Sequence, residues 1–132
     1  DMCARADRTD AIAIYNLGNI HLAAKRWTEA VLAYQRALTR DAGLIEARYN
    51  LAQAFEGLGR DEAAISELKT VLCLDRSYAD ALFNLGNLLM KRGRLVEAQR
   101  LFERYLSLDP PTGWAIKARK AVIYCSHCLM AS

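Results

Sequence analysis

The sequence predicts an all-α protein built from a helical repeat, and three observations carry that expectation. Tyr15-Asn16-Leu17-Gly18, Tyr49-Asn50-Leu51-Ala52 and Phe83-Asn84-Leu85-Gly86 share one pattern: aromatic, Asn, Leu, small. Each copy stands 34 residues from the next. A constant step shared by four adjacent residue types marks an internal repeat, and a period of this size belongs to stacked supersecondary units. Composition agrees. The 132 residues are 53% hydrophobic and 25% charged, with two prolines and seven glycines, which fits a packed core of helices and excludes disorder. Apolar residues recur at spacings of three and four, the helical period.

The elements follow in order. Residues 1–10 carry no periodic signal and read as a lead-in, with Thr9 placed to cap a helix. Ala13, Ile14, Leu17, Gly18, Ile20, His21 and Ala24 mark the first amphipathic helix. Thr28 can cap the second, whose stripe is Ala30, Val31, Tyr34, Ala37 and Leu38, and Gly43 is a natural stop. Ile45 to Gly57 and Glu62 to Leu74 form the next pair, joined through Gly59. Ser77 with Asp80 resembles a capping box ahead of a helix over Tyr78 to Lys91. Gly93 turns the chain into a helix from Leu95 to Leu108, stopped by Pro110 and Pro111. Thr112 caps a last helix with Trp114, Ala118, Ala121, Val122 and Cys125 on its apolar face. The units are therefore 11–44, 45–78 and 79–112, with a capping helix and tail over 113–132. Small residues at Gly18, Ala52 and Gly86, and at Ala30, Ala64 and Ala98, let paired helices approach closely. Leu17, Leu51, Leu85, Tyr34, Leu68 and Phe102 are expected to fill the space around them.

The net charge of +3, from 18 basic and 15 acidic residues, alternates in sign along most segments. No basic stripe argues for direct nucleic-acid binding. No apolar run reaches the length that spans a bilayer, and no signal peptide is visible. The first residue is Asp1 rather than Met, so a fragment of a longer protein is expected. Of the four cysteines, Cys3, Cys73, Cys125 and Cys128, Cys73 reads as a buried small hydrophobe. A helical repeat needs no disulfide staples, so a reducing, cytoplasmic location is expected. No nucleophile–base motif, phosphate loop or metal cluster is present. The expectation is a non-enzyme without cofactor or metal.

The repeat resembles the tetratricopeptide repeat (TPR), whose signature is W-x2-L-G-x2-Y, A-x3-F and a closing Pro. The first unit offers Ile14, Leu17, Gly18, His21, Ala30 and Tyr34, and the second Arg48, Leu51, Ala52, Phe55, Ala64 and Leu68. The third offers Leu82, Leu85, Gly86, Leu89, Ala98, Phe102 and Pro110. Departures are Arg48 for a bulky aromatic, His21 for Tyr, Val71 and Tyr105 for Ala, and Ala42 and Arg76 for Pro. The resemblance implies a right-handed superhelical α-solenoid of three units with a C-terminal solvating helix. A finer resemblance, from Tyr105-Leu106-Ser107-Leu108-Asp109-Pro110 with Trp114-Ala115 and Ala118-Arg119, is to bacterial TPR proteins. Some of those carry a MerR-type DNA-binding domain.

The resemblance also implies a concave face lined by the first helix of each unit. Tyr15, Asn16 and Asn19 share that face in the first unit, with Ile12 and Leu22. Tyr49, Asn50 and Gln53 match them in the second, with Glu46 and Glu56; Phe83, Asn84 and Asn87 match in the third, with Asp80 and Met90. Lys117 is expected to close one end. An amide both donates and accepts, so it pairs with the backbone of an extended peptide, and aromatics add apolar contact. The expected function is a scaffold that binds a peptide segment of a protein partner. The same amides can instead bond from turn to turn within the scaffold. Chaperone adaptors of the family grip a carboxylate with Lys and Arg. Asp80 and Asn84 stand where such a clamp would want them, which argues against chaperone-tail binding, and Glu46, Glu56 and Asp80 suggest instead a neutral or mildly basic ligand. The alternative is a regulatory or oligomerisation module of a larger protein, such as a bacterial transcription regulator.

Cys125-Ser126-His127-Cys128 is the one stretch resembling site chemistry, but it lacks a second pair for zinc. An inert helix end is the expected reading, with a disulfide or metal left open. His21 is expected in an interface core. Val122-Ile123-Tyr124 and Leu129-Met130 are more apolar than a terminal cap should be, which points to self-association through the C-terminal tail.

Overall fold

The computed structural model describes the backbone of residues 2–131 and the side chains of residues 8–131. Those residues form helices joined by short turns and loops, with no strand. The helices are α1 (Met2–Ala23), α2 (Trp27–Arg40), α3 (Ile45–Gly57), α4 (Asp61–Leu74), α5 (Ala79–Lys91), α6 (Leu95–Leu106) and α7 (Thr112–Ala131). They fall into two compact units, Asp1–Leu74 and Asp75–Ser132. In the first, α1 packs on α2, α2 on α3, and α3 on α4; in the second, α6 packs on both α5 and α7.

Most expected boundaries hold within two residues, because the apolar period that sets them also buries the stripes. Residues expected as a lead-in are an exception: α1 already runs from Met2 and takes Thr9 into its interior. The expected caps differ too. The residues before α2, α3, α5 and α6 are Arg26, Leu44, Tyr78 and Arg94, and none makes a side-chain cap bond. Aspartates upstream organise two of these entries instead. The Asp41 carboxylate accepts from the Gly43 N–H at 3.1 Å, and Asp75 accepts from Ser77 at 3.0 Å. These are Asx turns one repeat apart.

The turn inside each helix pair requires one left-handed residue. Gly59 (φ 76°) and Gly93 (φ 78°) supply it at no steric cost, while Lys25 (φ 60°) holds the equivalent place with a side chain. The helix crossings show a size rule. A Cβ on Gly18 would lie 2.6 Å from the Tyr34 ring, and one on Gly86 would lie 2.9 Å from the Phe102 ring. The equivalent places in the middle repeat hold Ala52 and Leu68, both buried. A ring on the second helix goes with glycine on the first, and a smaller aliphatic goes with alanine.

Two core expectations are corrected. Leu51 and Leu85 are each 2% exposed, but Leu17 is 47% exposed. Among the described residues no helix covers the face of α1 that carries Leu17 and Ile20. Cys73 is exposed rather than buried. Arg48, where the family prefers an aromatic, ties α3 to α4 through Glu67 at 3.0 Å and reaches the Ala42 carbonyl at 3.2 Å. His21 is half-buried, and its Nδ1 accepts from Arg26 Nε at 3.1 Å.

Candidate functional site

In the first unit the expected face of α1 and α3 is a hydrogen-bonded cluster. Tyr34, fully buried on α2, donates its hydroxyl to Asn19 Oδ1 at 2.6 Å. Asn50 Nδ2 donates to the same oxygen at 2.9 Å and to the Tyr15 hydroxyl at 3.4 Å. The Tyr15 and Tyr34 rings lie 6.0 Å apart. Burial pushes the Tyr34 hydroxyl up to about 12; the Asn50 side chain opposes that shift and Tyr15 adds to it. One amide oxygen thus satisfies two donors, and a buried hydroxyl keeps its partner. Asn19 and Asn50 lock three helices together, which is the turn-to-turn alternative for those amides. Asn16 is exposed, Gln53 half-buried and Tyr49 buried. Of the aromatic and amide residues expected on this face, Asn16 alone is exposed.

In the second unit Phe83 is half-buried at the hub of an aromatic cluster. Its ring lies 5.7 Å from Phe102, 5.2 Å from Tyr105 and 5.2 Å from Trp114. Burial raises the Tyr105 hydroxyl pKa, and the Asp80 carboxylate raises it further. Asn84 is half-buried and Asn87 exposed. Asn87 opens into a cleft of about 700 Å³ between α5 and α7. Phe83, Met90, Ala121 and Tyr124 form its apolar lining, and Lys91, Lys117 and Lys120 its charged one. The Lys117 ammonium sits 4.6 Å from the centre of the Trp114 ring, a cation–π contact that positions it.

Lys91, Lys120 and Tyr124 were not among the expected site residues. The signal was legible: residues 110–132 contain no Asp or Glu, so the lysines of α7 have no carboxylate on their own helix. At Cys125-Ser126-His127-Cys128 the two thiols differ in exposure, Cys125 buried and Cys128 half-buried. Cys125 is buried, and burial followed by the nearby Cys128 raises its thiol pKa, which disfavours the reactive thiolate. Among the described residues no group of metal ligands converges, and Cys73, Cys125 and Cys128 are free thiols. Cys3 lies outside the residues whose side chains are described.

A profile of the tetratricopeptide repeat matches residues 21–72 and 59–120. The chain belongs to the tetratricopeptide repeat family. It is therefore a helical-repeat, protein-interaction scaffold in kind. DnaJ homolog subfamily C member 3 of Rattus norvegicus is 33% identical over 94 residues, covering 71% of this chain and 19% of that protein. The chain thus spans about a fifth of the length of that relative. The TPR domain of P58(IPK) superposes with a TM-score of 0.83 at 27% identity, over 89% of this chain and 33% of that one. The first TPR domain of Spaghetti (RPAP3), bound to the HSP90 peptide SRMEEVD, superposes with a TM-score of 0.81 at 26% identity. That match covers 92% of this chain and 94% of the other. These matches establish the family and do not extend to a MerR-type regulator. Among the described residues no helix is long and apolar enough to cross a membrane.

Proposed function

We propose that the chain binds a peptide segment of a protein partner on the faces of its first helices, α1 and α3 in one unit and α5 in the other. The observation that carries this reading is the cleft beside Asn87, which combines an exposed amide, apolar walls and charge. A peptide needs those three things: a partner for its backbone, a seat for a side chain, and orientation. A similar TPR domain holds a peptide, which supports the reading. Asn16 and Asn87 are its ligand-facing amides, and Tyr15, Asn19, Tyr49, Asn50, Gln53, Phe83 and Asn84 shape or brace the same faces.

The test uses peptides selected from a random displayed library on the intact chain. Titration should show Asn16→Ala or Asn87→Ala weakening the selected peptides about three- to tenfold, the loss of a backbone-directed hydrogen bond. Unchanged affinity in both variants would move binding off these faces.

A second reading has its own observation. Ile116, Ile123 and Met130 are 43%, 67% and 86% exposed. They stand seven residues apart on α7, opposite its buried Ala118 and Cys125. Such an apolar stripe fits self-association through this helix. Light scattering of the wild-type chain and of Ile123→Glu would decide it. A dimer mass that falls to the monomer supports the stripe, and a monomer mass in both excludes it.

A further inference from the structure

We infer that the apolar stripe of α7 in one copy docks on the face of α1 that carries Leu17 and Ile20 in a second copy. Each open apolar face is then the occupant of the other. Two unlike faces that meet make a head-to-tail contact, which a ring or a chain of copies repeats. This deepens the self-association reading of α7 above and rests on it, and it names the seat of the stripe.

The repeat itself shows that the α1 face is built for a helix. The places of Ala13, Leu17 and Ile20 recur 34 residues on as Ala47, Leu51 and Ala54. There all three are buried, on a helix that has α2 packed against it. In α1 the same three places are exposed, Ile20 by 60%. Ala24 continues the stripe and is exposed too; its N–H still bonds the Ile20 carbonyl at 3.1 Å, so the helical path holds to that residue. Aliphatic side chains left open at places that the same chain buries elsewhere mark a contact face.

Size and charge choose α7 as the helix that covers it. The α7 stripe carries a large residue every second turn, with Ile123 about 10 Å along the axis from both Ile116 and Met130. On α1 the midpoint of Leu17 and Ile20 stands about 8 Å from an alanine on either side, Ala13 and Ala24. Ile123 therefore meets the large pair while Ile116 and Met130 lie over the alanines, large against small. A second α7 offers no such fit. It also brings like charge: Lys120 stands between Ile116 and Ile123, and Lys117 and Arg119 flank it on a helix without a carboxylate. Like charges juxtaposed across an interface oppose association. The α1 sequence instead balances two arginines with two aspartates. On its apolar face the Lys120 stem lies flat and keeps its ammonium in water.

Sedimentation velocity on the intact chain tests this, with mass read against concentration. The wild type should exceed the monomer mass as concentration rises. Leu17→Glu with Ile20→Glu removes the seat, and Ile123→Glu removes the stripe. Each variant should weaken association on the order of a hundredfold, because an unpaired charge enters an apolar contact. Mixed in equal amounts, the two variants should pair, since each keeps the half that the other lacks. The changed residues are exposed, and circular dichroism checks that helix content is intact. Association lost in only one of the two variants overturns the inference; loss with Ile123→Glu alone leaves α7 pairing with itself. Monomeric variants that stay apart when mixed overturn it as well. A monomeric wild type, or association that survives both variants, overturns the inference and the self-association reading together.

Discussion

The ring of Tyr34 dictates that residue 18 be glycine, and the ring of Phe102 does the same for residue 86. Gly18→Ala should lower thermal stability, by about 1–3 kcal/mol, because a buried ring has no room to retreat from the new methyl. Calorimetry of the variant checks the size. Lys25 offers the opposite change. Its φ of 60° is a glycine conformation at a place where the other two repeats have glycine. Lys25→Gly should raise stability by about 0.5–1 kcal/mol, read as a shift in the denaturant midpoint. Tyr34 supplies a pH dependence. Its folded pKa is raised from the usual 10 to about 12. The stability this contributes is therefore complete below pH 10 and is lost as pH rises through about 12. Tyr34→Phe should flatten the loss in that window, which alkaline unfolding curves would show.

Helix positions were legible because a stripe of period 3.6 both writes the sequence and buries the side chains. Ends were less legible. Thr28 lies inside α2, and Ser77 has capping chemistry, yet Asp75 makes the Asx turn there. A side chain two residues upstream competes for the same local donors. Burial was least legible for Leu17, since its residue type and repeat place match those of Leu51 and only the neighbouring helix differs. Leu51→Ala should cost about 2–5 kcal/mol, while Leu17→Ala should cost a small fraction of that. Comparing their denaturant midpoints tests whether repeat place or actual burial governs the core. The hydrogen bonds of Asn19 and Asn50 depend on how α1, α2 and α3 are rotated about their axes. Residue spacing on one helix does not encode that rotation, so their bracing role emerged only in three dimensions.

At the scale of the molecule, the three-fold repeat does not produce three equal sites. The first unit closes its amide face around Tyr34, while the second leaves a cleft between α5 and α7. The most direct test of peptide binding by the first-helix faces is amide chemical-shift mapping of the intact chain with a library-selected peptide. The account predicts perturbations on α1, α3, α5 and the adjoining face of α7, with Asn16 and Asn87 among the largest. Perturbations confined to α2, α4 and α6 would contradict it.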